Sequence, residues 1–126
     1  MINRVNSIEY LGKCGLIRGM AESTVYESNM MRLHVDESKF NVRYVVQLLC
    51  SQFVYNQILT RAKKSVNQAS INQKDVQSLV VYMPSLDVQN KFAAFVEQVE
   101  NMKSGINVSL LKLETLKKAL MQEYFS

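Results

Sequence analysis

With 126 residues, 48% of them apolar, and only one proline and four glycines, the chain has room for one compact domain and little more, and its composition argues against disorder. No apolar run reaches the length of a membrane span and no secretory leader pattern follows Met1, so a cytoplasmic protein without a membrane role is expected. The net charge is +4, and ten of the fifteen Lys and Arg precede Ser85 against six of the eleven acids, so the positive excess is N-terminal, as nucleic-acid binding requires but does not by itself establish.

The first element, Ser7 to Leu11, alternates weakly and reads as a strand entering a stretch with three glycines, Gly12 to Gly19. Glycines at that density mean turns and positive φ. The stretch reads as a structural turn. Its amides could alternatively cradle a phosphate, although the spacing fits no nucleotide-binding fingerprint. Met30 to Val35 alternates with Met31, Leu33 and Val35 on one face, the pattern of a half-buried strand. His34, the only histidine, has no acid–nucleophile pair around it and reads as a strand histidine, not a catalytic one. Cys14 and Cys50 lie far apart with no ligand at metal spacing, and are expected as reduced core thiols.

Asn41 is a good N-cap for a helix over Val42 to about Lys64, whose apolar residues recur at steps of three and four. Its last turn, Arg61-Ala-Lys63-Lys64, places cations at the negative helix end. The same cations would suit a phosphate backbone. Asn72 or Ser70 can cap a short helical turn over Gln73 to Ser78. Leu79 to Met83 is apolar throughout and reads as a buried strand that Pro84 ends.

From Leu86 to Phe125 the spacing predicts one long amphipathic helix. With Phe92 at heptad position a, the a positions are Phe92, Val99, Ile106, Leu113 and Leu120, and the d positions Phe95, Met102, Ser109, Leu116 and Glu123. Eight of these ten are apolar, a coiled-coil seam that needs a partner helix. Burying those eight side chains stabilises by about 12–24 kcal/mol as an upper bound, from which association and ordering entropy are subtracted. Gly105 would mark a kink, a tight crossing or a break. The expected architecture is α+β: a small mixed α/β domain over residues 1–84, then one long coiled-coil-forming helix over 85–126.

The order of Gln68, Ser70, Ile71 and Asn72, the strand from Leu79 to Pro84, then Leu86, Gln89 and Phe92, and finally Leu113, Leu116, Lys117, Leu120 and Phe125 resembles the C-terminal half of a type I restriction–modification specificity subunit. Upstream, Glu27-Ser-Asn29, the MMRLHVD strand and the helix from Tyr44 to Ile58 follow the family's order. The resemblance covers the chain from about Tyr10 onward. It implies a target recognition domain held on double-stranded DNA and a helix that docks a second recognition domain and the methyltransferase subunits. Methyl transfer and cleavage would belong to partner methyltransferase and restriction subunits that bring S-adenosylmethionine or ATP. This chain itself would be non-catalytic and without cofactor, in line with the absence of paired carboxylates, a nucleophile–base pair or a metal cluster in the sequence.

Such a subunit carries two recognition domains and two helical regions, whereas this chain has one of each, and its domain is short at the N-terminus. A half-subunit that forms a homodimer through the seam would read a split palindrome. Its phosphate contacts would come from Lys13, Arg18, Arg61, Lys63 and Lys64, and its helix pairing from the eight apolar seam residues. The competing readings are a dimerisation or docking protein that binds no DNA, and a truncated remnant of a specificity subunit.

Overall fold

A computed structural model of the chain describes residues 1–19 and 22–125. The elements are β1 (Ile2–Asn3), β2 (Val5–Asn6), a 3-10 turn (Ile8–Tyr10), β3 (Met30–Met31), α1 (Val42–Leu49), α2 (Gln52–Arg61), β4 (Lys63–Lys64), β5 (Ala69–Ser70), α3 (Gln73–Gln77) and α4 (Leu86–Phe125). The α+β expectation therefore holds, with small sheets and one long helix. Strand β1 pairs antiparallel with β3, Ile2 opposite Met31. Strands β2, β5 and β4 form a second antiparallel sheet in that order, Val5 and Lys63 flanking Ser70.

Compact packing divides the chain into Met1–Asn90 and Lys91–Ser126. The core of the first unit gathers Ile2, Leu11, Val54, Ile58, Ala69 and Ile71, with Ile8, Met31, Leu48, Leu79 and Val81 against it. Gly12 adopts φ +75°, and a Cβ there would collide with Ile58 Cδ1. The positive φ favours glycine at that turn, and a Cβ would also require Ile58 to shift.

Five local expectations are corrected. Ser7 to Leu11 is not a strand: Asn6 Oδ1 accepts from the Ser7 N–H at 2.8 Å, and the Tyr10 N–H donates to the Ser7 carbonyl. Side-chain bonding to the backbone turns the chain before a ladder can form. Only Met30–Met31 of the next predicted strand pairs; Arg32, Leu33 and His34 are exposed. The long helix from Val42 is two helices, because the Ser51 hydroxyl caps α2 by accepting from the Val54 N–H at 3.3 Å. Arg61 ends α2, and Lys63 and Lys64 form β4 instead of a final helical turn.

The fifth correction concerns Leu79 to Met83, which pairs with no strand among the described residues. Leu79 and Val81 face the core while Val80 and Tyr82 are exposed. Helix side chains supply the missing bonds. The Gln57 amide donates to the Val80 carbonyl at 2.8 Å and its oxygen accepts from the Val80 N–H at 3.0 Å. The Tyr44 hydroxyl donates to the Tyr82 carbonyl at 3.0 Å. Backbone satisfaction, which burial beside a core demands, is met here by side chains of α1 and α2.

The remaining helices follow their local signals. Asn41 caps α1 by accepting from the N–H groups of Arg43 and Tyr44. Asn72 and Asp75 form a reciprocal capping box on α3. Helix α4 runs 40 residues, about 60 Å, and continues through Gly105, where the Ser109 hydroxyl donates to the Gly105 carbonyl at 3.1 Å. Gly105 is therefore not a break.

Candidate nucleic-acid interface

The five predicted phosphate-contacting residues fall into three environments. Lys63 and Lys64 are exposed and adjacent on β4. Successive strand residues point to opposite faces, so the two ammonium groups do not extend one row. Lys13 lies in the glycine-containing loop with its Nζ 4.3 Å from the centre of the Tyr10 ring, a cation–π contact that leaves its other flank to solvent. Arg18 is exposed further along that loop. It borders an open cavity lined largely by apolar side chains, among them Ile2, Met30, Val42, Val45 and Leu49.

Arg61 is spent inside the domain. Its Nε donates to the Ser78 hydroxyl at 2.7 Å, its Nη2 to the Ser78 carbonyl at 3.0 Å and its Nη1 to the Gln57 carbonyl at 2.9 Å. A guanidinium with all three nitrogens engaged positions the start of the segment from Ser78, and a phosphate would have to compete with those bonds. The Asp36 carboxylate accepts from Ser38 and lies 3.4 Å from Lys39. Ser38 holds that carboxyl below its ordinary range, with a smaller contribution from Lys39. Lys39 is thereby partly neutralised as a contributor to a basic surface.

Gln89, in the first turn of α4, is the most buried polar side chain, 1% exposed. Its Oε1 accepts from the Asn41 N–H at 2.9 Å and its Nε2 donates to the Pro84 carbonyl at 2.8 Å. The Asn41 side chain bonds Asn90 at 2.8 Å. One residue thus links the cap of α1, the turn at Pro84 and the start of α4. Reading the residues singly misses this, because a glutamine in an amphipathic helix scans as solvent-facing. Asn3 Oδ1, Arg4 Nε and Asn29 Oδ1 are buried atoms without a hydrogen-bond partner among the described residues, and no spacing marks them in the sequence.

Of the predicted pairing residues, Val99 is half-buried and Phe92, Phe95, Met102, Ile106, Leu113, Leu116 and Leu120 are exposed. Every residue from 101 to 125 is exposed, Ile106 at 66% and Leu113 at 63%. Val108, Leu110, Leu111, Met121, Tyr124 and Phe125 are exposed as well, so the apolar surface is wider than a two-position seam. Among the described residues no group of His, Cys, Asp and Glu could hold a metal ion, and no helix is long and apolar enough to cross a membrane.

No family model and no solved structure matches the chain. Among curated proteins it is similar to the type I restriction enzyme MjaX specificity subunit of Methanocaldococcus jannaschii, 29% identical over 126 residues, all of this chain and 30% of that one. It is also similar to the type I restriction enzyme EcoKI specificity subunit of Escherichia coli, 23% identical over 124 residues, 94% of this chain and 26% of that one. The chain therefore spans less than a third of the length of either relative. The resemblance read from the residues is borne out: along its whole length, helix included, this chain is similar to a segment of type I restriction enzyme specificity subunits.

Proposed function

We propose that the protein is the DNA-specificity component of a type I restriction–modification system, non-catalytic and acting with methyltransferase and restriction subunits. Residues 1–84 form a partial target recognition domain, and residues 85–126 the helix that joins it to a second copy and to the methyltransferase. The observation that carries this reading is the similarity to two specificity subunits over all, or nearly all, of the chain. The exposed apolar surface of α4 supports the joining role. Its a and d positions suit a second helix, and the flanking Val108, Leu110, Leu111 and Tyr124 offer contact area for a further subunit.

In a homodimer two recognition domains related by twofold symmetry would read a split palindrome. Lys13, Arg18, Lys63 and Lys64 supply phosphate contacts. Arg61 serves the fold first.

Titration of the full chain with duplex DNA over a salt series tests this reading. Each phosphate neutralised contributes about −0.9 to the slope of log K against log salt, so four contacts per copy give a slope of about −4. Lys63→Gln and Lys64→Gln should each flatten the slope by about one. Arg61→Gln should lower thermal stability before it touches that slope. Absence of binding even at low salt would leave a dimerisation or docking protein, or a remnant that folds without reading DNA.

A further inference from the structure

Cys14 and Cys50 are 36 residues apart in sequence, yet the Cys50 thiol donates to the Cys14 carbonyl at 3.6 Å. That contact brings the Cys50 side chain against the backbone of Cys14. The expectation of two core thiols is corrected for Cys50: it caps the C-terminus of α1 and is exposed, outside the core against which Cys14 packs. Cys14 is half-buried, its Sγ donating to the Gly12 carbonyl at 3.2 Å. It sits in the loop that carries Lys13 and Arg18, with its backbone bridged to Ile2.

We infer that Cys14 and Cys50 form a dithiol modification site. Low-molecular-weight disulfides enter it at Cys50, and Cys14 resolves the adduct into an intramolecular disulfide tying the loop to the end of α1. The Cys50 thiolate attacks one sulfur of the small disulfide, forming a mixed disulfide and releasing one small thiolate. The Cys14 thiolate then attacks the Cys50 sulfur, the Cys14–Cys50 bond forms, and the second small thiolate leaves. The two protein thiols lose two electrons and two protons, and the small disulfide is reduced to two thiols.

The order follows from the surroundings. Cys50 is open to solvent, whereas burial, and next to it the neighbouring Cys50, push the Cys14 thiol up to about 12 against the opposing pull of the Met1 ammonium. Those two groups are the titratable neighbours that act on it. The resolving step is therefore the slow one. Its rate should rise with pH between pH 7 and 9, following the Cys14 thiolate.

The test treats the reduced full chain with oxidised glutathione and follows intact mass and non-reducing peptide maps. The expected course is a single glutathione adduct at Cys50 that decays to a species lighter than the reduced chain by two hydrogens, with Cys14 and Cys50 in one linked peptide. Cys14→Ser should arrest at the Cys50 adduct, and Cys50→Ser should leave Cys14 unmodified. A covalent dimer through Cys50, independent adducts at both cysteines, or a Cys50 adduct in the unsubstituted chain that never resolves would each overturn the inference.

Discussion

Residues 1–90 and residues 101–125 contrast in where their groups find partners. In the first region apolar side chains close a core around Leu11 and Val54, both 0% exposed. Even a segment without a strand partner is bonded, through Gln57, Tyr44 and Gln89. In the second, a regular helix keeps Ile106, Leu113, Leu116 and Leu120 open to solvent. The first region has a core of its own and leaves only a few buried polar atoms, Asn3 Oδ1, Arg4 Nε and Asn29 Oδ1, without a partner among the described residues. The second has the backbone bonds of a helix but not the packing of an amphipathic face that supplies most helical stability in proteins.

That contrast can be broken from either side. The largest effect is expected at the seam. Ile106→Asp or Leu113→Asp puts a carboxylate where two helices would meet, and should convert a dimer to a monomer in light scattering with loss of helical ellipticity. Neither change should disturb the core of residues 1–90. If the substituted chains kept the dimer's mass, the helix face would not be the joining surface.

A smaller effect, on the first region, is expected from Gln89→Ala. It removes both the acceptor for the Asn41 N–H and the donor to the Pro84 carbonyl, leaving two part-buried backbone groups unpaired at a cost of about 1–3 kcal/mol in all. Urea denaturation should show the loss while dimer mass at low denaturant is unchanged.

The smallest effect is a pH dependence. The Cys14 thiol is raised from 9.0 to about 12 by burial first and by Cys50 second. Between those values the unfolded chain has lost a proton that the folded chain retains. The contribution is therefore fully present below pH 9 and declines as pH rises toward 12. Urea midpoints on either side of pH 9 should converge in Cys14→Ala relative to the parent chain.

The sequence makes α4 legible because its signal repeats over 40 residues, and α3 because Asn72 and Asp75 form a local capping box. The strands are not legible: each is two residues long, too short for alternation to show. The break between α1 and α2 hides in a continuous three- and four-residue periodicity, since Ser51 acts through one hydroxyl. In the candidate interface the charge of Lys63 and Lys64 is legible and their opposite facing is not. The inward turn of Arg61 depends on Ser78, 17 residues away, a contact no local pattern encodes.

Sedimentation equilibrium of the unsubstituted chain across the micromolar range addresses the joining role of α4 most directly. The account predicts a species of twice the 14.5 kDa chain mass that dissociates on dilution. A single-chain mass at every concentration would contradict it.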